Sequence, residues 1–132
     1  MTTAKHRWRI RLSAAAQSDF KKILAWSVNE FGEAQARRYA DTLSSALEAL
    51  MEGPDIAGSR KREDIAKGLM SLHVARKNRN ARHILLYRIG EGAEPCMIDV
   101  LRILHDSMDL ARHAPTEPMT MRHTNTKSVA AD

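Results

Sequence analysis

With 132 residues, the chain is long enough to bury one hydrophobic core and too short for two. Its 43% hydrophobic and 28% charged residues are those of an ordinary globular protein; no apolar run approaches the ~18 residues of a membrane span or resembles a secretory signal, so no membrane contact is expected and the cytoplasm is the expected location. A single cysteine, Cys96, excludes an internal disulfide and reads as a small apolar residue of a strand, while the net charge of +5 favours an acidic partner, nucleic acid or protein.

Arg7, Arg9 and Arg11 alternate with Trp8, Ile10 and Leu12, the period of two that a half-buried strand shows. Ser13 follows as an N-cap, although Ala16 stands where a capping box needs Glu or Gln. Ala16, Phe20, Ile23, Leu24, Ser27 and Phe31 then recur at helical steps, which predicts a helix over 14–31 ended by Gly32. Ala36, Tyr39, Ala40, Leu43, Ala46, Leu47, Leu50 and Met51 predict a second helix, stopped by Gly53 and Pro54. The short joint makes the two antiparallel neighbours, and each apolar stripe needs a sheet to pack on. Trp8 belongs to the core by its strand face. Trp26 lies off the helical stripe near Lys22 and Asn29, a candidate anchor for a protein partner.

Residues 54–68 read as a long polar connection with one short turn around Asp64 to Ala66. Strand patterns follow over 69–75, 82–89 and 96–104, the first two joined by the basic loop Arg76-Lys77-Asn78-Arg79-Asn80-Ala81. The last strand is apolar on both faces apart from Asp99 and Arg102, as a central strand should be. After Pro115 nothing periodic remains to bury, so the chain divides into a domain over 1–114 and a flexible tail over 115–132. Helices segregated from a run of strands imply an α+β fold. Its expected parts are an N-terminal strand, an antiparallel helix hairpin packed on an antiparallel sheet of about four strands, and a short C-terminal helical turn.

The densest group of ionisable side chains falls in 101–113, where Arg102, His105, Asp106, Asp109, Arg112 and His113 arrive together. His105 reads as a hydrogen-bonded anchor tying the last strand to the turn, and Asp109 as the cap of the terminal helical turn. Arg102 interrupts an apolar strand, so it must meet a carboxylate, the strand end or a partner. His105, Asp109 and His113 have helical spacing but no further ligand beside them, so neither a metal nor another cofactor is expected. Arg76, Lys77, Arg79 and Arg82 place four cations at a hairpin tip, a solvated loop or a phosphate-binding surface for nucleic acid.

Four segments together resemble the ParE/RelE superfamily of bacterial type II toxins: Arg11-Leu12-Ser13-Ala14-Ala15-Ala16-Gln17, Phe31-Gly32-Glu33-Ala34-Gln35-Ala36, Gly68-Leu69-Met70-Ser71-Leu72 and Arg102-Ile103-Leu104-His105-Asp106-Ser107-Met108-Asp109. The last, with Arg112-His113, is closer to the ParE branch. The resemblance covers roughly residues 7–113; the tail and the long basic loop depart from it. It implies a toxin, not an enzyme, that inhibits DNA gyrase and is neutralised by a ParD-like antitoxin. The residues themselves, by charge and position, offer Trp26, Arg76, Lys77, Arg79, Arg82, Arg102 and Arg112 as candidate contacts. The alternative the resemblance carries is a RelE-like, ribosome-dependent endoribonuclease without metal. Arg102, His105 and His113 would then be the catalytic candidates, but no tyrosine follows Tyr87 to complete the set. A non-toxic relic that only binds antitoxin is a third reading.

Overall fold

Alternation of charged and apolar side chains yields β1 (Arg9–Leu12), which stops where Ser13 turns the backbone into α1 (Ala14–Phe31). The structure, a computed structural model, describes residues 7–75, 81–90, 96–108 and 110–113. Ser13 is fully buried, and its hydroxyl accepts from the Ala16 N–H at 2.9 Å while donating to the Leu101 carbonyl at 2.8 Å. One side chain thus caps the helix and ties it to the sheet. Gly32 alone joins α1 to α2 (Glu33–Ala49), at φ +88°, a conformation a side chain would strain. Its N–H donates to the Val28 carbonyl at 2.9 Å and its carbonyl accepts from the Ala36 N–H at 3.1 Å, so it ends one helix and starts the next. A 3₁₀ turn, Leu50–Glu52, carries α2 to Gly53.

The rest of the chain forms β2 (Ser59–Lys61), β3 (Met70–His73), β4 (His83–Ile89), β5 (Met97–His105) and α3 (Leu110–His113). The α+β expectation holds, with a difference in the sheet. It has five strands in the order β1-β5-β4-β3-β2, and β1 runs parallel to β5 while the other pairs are antiparallel. The added strand, β2, lies in the stretch expected as a polar connection; Ser59-Arg60-Lys61 has no apolar side chain and so no period-two signal. Cys96, expected inside the last strand, instead sits half-buried at the bend before β5, with φ +59°. Trp8 packs against the main core as its strand face predicts.

That core lies between the helix hairpin and one sheet face, around Leu43, Leu50, Leu72, Leu85, Tyr87, Ile98 and Val100. On the other face Leu69, Leu86, Leu101, Leu104 and Leu110 form a smaller cluster, covered in part by Ile65 and Ala66. A bulge in β5 adjusts the two faces. Leu86 pairs with Arg102 and Tyr87 with Val100, so Leu101 is the extra residue, and Leu101 and Leu104 reach the second cluster while Ile103 stays in the first. β1 covers the β5 edge only from Met97 to Val100. Beyond that, Asp19 of α1 accepts the Ile103 N–H at 2.9 Å, which closes an edge that would otherwise leave a donor open. No described helix is long and apolar enough to cross a membrane. Arg76, Lys77 and Arg79 of the basic loop, Asp109 and the tail over 115–132 lie outside the described residues.

Candidate partner-binding groove

The polar residues of 101–113 divide between two places. Arg102 turns inward: its Nε donates to Asp19 Oδ2 at 2.8 Å, its Nη2 to Asp19 Oδ1 at 3.0 Å and its Nη1 to the His113 carbonyl at 3.1 Å. A bidentate guanidinium–carboxylate pair is the strong form of this contact, and the hydrogen bond to Asp19 raises the Arg102 pKa further. Arg102 therefore binds α1, β5 and α3 together, and the guanidinium expected to meet either a carboxylate or a partner meets the carboxylate. His113 contributes its backbone carbonyl here; Arg112 and the rest of His113 face solvent.

His105, at the far end of β5, belongs to an open groove. It is about 450 Å³ and runs between α1, the start of α2 and the adjoining ends of β4 and β5, lined by Ile23, Trp26, Phe31, Tyr39, His83 and His105 among others. A further hollow of about 380 Å³ continues it past Trp26 and the two histidines to Lys22, Ser107 and Met108. Trp26 is 55% and Phe31 61% exposed, their rings in T-shaped contact at 5.5 Å. Adjacent exposed aromatics on an apolar wall are the residue types and the exposure that protein interfaces favour.

The polar floor is a connected set of hydrogen bonds. Tyr39 accepts the Arg82 N–H at 3.0 Å, and its hydroxyl lies 2.6 Å from His83 Nδ1 in a bond whose donor follows the His83 tautomer. Ser107 donates to His105 Nδ1 from its backbone N–H at 3.1 Å, with its hydroxyl 2.8 Å from the same nitrogen. Ala75 donates its N–H to His73 Nδ1 at 3.0 Å, leaving His73 Nε2 to donate to Asp106 at 3.0 Å. His73 and His105, each accepting a backbone N–H at Nδ1, therefore carry their proton on Nε2 when neutral, and His83 does the same when Tyr39 is the donor of their shared bond. His83 and His105 are register partners across β4 and β5, with ring centroids 5.3 Å apart. Burial, with the neighbouring His105, pushes His83 down to about pKa 4. Burial likewise raises the Tyr39 phenol. Hydrogen bonds from His73 and then Arg82 hold the Asp106 carboxyl down at about 2.

The structure brings together Trp26, Arg82 and His105 from the residues singled out in the sequence, and separates Arg102 and Arg112 from them. It adds Phe31, Tyr39 and His83, whose place at the groove no local pattern marks, because they converge from α1, α2 and β4. The sequence places no tyrosine after Tyr87, yet the fold returns Tyr39 to the histidines. Among the described residues no three His, Cys, Asp or Glu side chains stand close enough to hold a metal ion. The basic nitrogens of His83 and His105 are already engaged, so the floor offers N–H donors to a ligand rather than a free base.

A helical hairpin on a five-stranded mixed sheet, with an aromatic groove at one end, defines the class: a small α+β domain with an open binding surface. A solved chain described as "Chromosomal ParDE TA system from P. aeruginosa" shares it with a TM-score of 0.59, at 17% identity, over 76% of this chain and 98% of that one. The family model for the "ParE toxin of type II toxin-antitoxin system, parDE" matches residues 10–110. Toxin ParE1 of Mycobacterium tuberculosis is 34% identical over 106 residues, covering 80% of this chain and 96% of the relative. Toxin ParE of Escherichia coli is 30% identical over 99 residues, 75% and 85% of the two chains, and Toxin ParE1 of Caulobacter vibrioides 28% over 103 residues, 78% and 94%. The chain belongs to the ParE family: it is a toxin of a type II toxin–antitoxin system, and such a system supplies a cognate antitoxin as its partner.

Proposed function

We propose that this toxin inhibits DNA gyrase, holding it at the cleaved-DNA stage through surface contacts, and that a ParD-like antitoxin neutralises it by covering the groove between the helix hairpin and the sheet. The observation that carries the reading is the state of the groove. Two exposed aromatic rings stand beside two histidines whose Nδ1 atoms are occupied, a surface made to be covered rather than to take a proton. Of the candidate cations, Arg82 at the rim and exposed Arg112 are described and serve the gyrase contact, and the charge of Arg76, Lys77 and Arg79 suits the same target or nucleic acid. The purified toxin is expected to inhibit gyrase supercoiling and to leave RNA intact. Ribosome-dependent cleavage of messenger RNA by the same preparation overturns it.

One observation favours the endoribonuclease alternative: Tyr39, His83, His105 and Arg82 stand together, the residue types a metal-free nuclease uses. Either histidine would first have to give up its Nδ1 partner or shift its proton to serve as a base. His105→Gln is expected to leave any ribosome-associated cleavage at background; abolition of a measurable cleavage by this change selects the nuclease instead.

A further inference from the structure

The histidines at the floor of the groove also say what chemistry a bound segment must carry there. We propose that His83 and His105 form a two-donor site for a side-chain carboxylate of the docked antitoxin segment, whose apolar residues lie on Trp26 and Phe31. This rests on the reading of the groove as the antitoxin surface and adds the polar group that the segment must present.

The donors are set by their neighbours. Tyr39 fills Nδ1 of His83, and Ser107 fills Nδ1 of His105, by contacts of 2.6 to 3.1 Å. The remaining nitrogen of His105 is Nε2–H, as is that of His83 with Tyr39 donating to its Nδ1, and neither has a partner among the described residues. An N–H donor satisfies only an acceptor, which excludes an ammonium or a guanidinium from this floor. The two strands end side by side here, with the rings 5.3 Å apart and nearly perpendicular and both lining the groove, a separation that the two oxygens of one carboxylate can bridge.

Charge points the same way. The chain is net +5, and Lys22 and Arg82 stand at the rim. The nearest acid, Asp106, is 3.5 Å from His105 Nδ1, on the side away from Nε2, and its charge is engaged by Arg82 at 3.2 Å and His73 at 3.0 Å. A phosphodiester fits less well. Ile23, Trp26 and Phe31 make the wall apolar, and Arg82 is shared with Asp106, whereas a phosphate backbone is held by repeated free cations. A peptide segment with alternating apolar and acidic side chains matches both the wall and the floor.

The test uses the full chain and small probes: 4-phenylbutyrate, its neutral amide, and dimethyl phosphate, followed by the ring resonances of His83 and His105 and by Trp26 fluorescence. The acid is expected to bind at least about tenfold more tightly than the amide and to shift both histidines. His105→Leu is expected to bring the acid down to the affinity of the amide. Equal binding of acid and amide overturns the proposal, as does tighter binding of dimethyl phosphate or acid binding indifferent to His105→Leu. The comparison within the unaltered protein stands even if the variant fails to fold. A separate arm measures capture of the cognate antitoxin by Trp26→Ala. If that variant binds antitoxin undiminished, the groove is not the docking surface; if binding falls while acid and amide tie, only the carboxylate site is lost.

Discussion

Arg102 and His105 are three residues apart on one strand, and they do opposite work. Arg102, set opposite Leu86 by the bulge, spends its guanidinium on Asp19 and the His113 carbonyl and holds three elements together. His105, at the strand end, uses one ring nitrogen on its own turn and leaves the other to the groove. The difference is one of position: a charge in the middle of an apolar strand must be matched inside the protein, whereas a polar group at the strand end has solvent on one side. A dense run of ionisable residues is therefore no single site. Its members are sorted by what the rest of the chain brings to each of them.

The comparison breaks most directly at Asp19. Asp19→Ala leaves Arg102 without its carboxylate and the Ile103 N–H without its acceptor, and is expected to cost about 3 kcal/mol in a urea unfolding titration. A loss below about 0.5 kcal/mol would place the clasp among ordinary surface pairs. On the groove side, Trp26→Ala is expected to leave unfolding stability within about 0.5 kcal/mol and to weaken antitoxin binding by about 2 kcal/mol, measured by calorimetry. Equal effects on stability and binding would erase the distinction between the two regions.

The pH dependence sharpens it. Because His83 titrates near 4 when folded and near its ordinary 6.5 when unfolded, the unfolded chain holds the extra proton between those values. Its contribution to stability is complete above about pH 6.5 and is lost as pH falls toward 4, by up to about 1.4 kcal/mol per pH unit. His83→Gln should flatten that part of the stability profile, and a slope unchanged by the substitution would assign the acid sensitivity to other groups. The smallest effect belongs to Arg82→Ala. Its side chain is largely exposed, and losing its contact to Asp106 is expected to cost no more than about 0.5 kcal/mol by thermal unfolding.

Much of the scaffold was legible because it depends on local periodicity. The alternation at Arg7 to Leu12, the stripe that ends at Phe31, the break at Gly32 and the stop at Gly53 each correspond to an element or a boundary in the structure. β2 was not legible. Its Ser-Arg-Lys carries no apolar side chain, and it is a strand only because β3 offers it a hydrogen-bonding edge. The parallel pairing of β1 with β5 was equally silent, since direction within a sheet is a property of two segments 88 residues apart, as the Arg11–Asp99 contact shows.

The amino-acid order alone determined the helix hairpin, the strand-rich second half, the net positive charge and the family signature, because each is a pattern within a short window or a sum over the chain. Only the tertiary structure decided that Asp19 answers Arg102, that Tyr39 reaches His83 across 44 positions, and that Trp26 and Phe31 face the same hollow as His105. Those contacts join residues with no common periodicity. Burial, hydrogen bonding and charge select among such encounters once the hairpin has closed on the sheet.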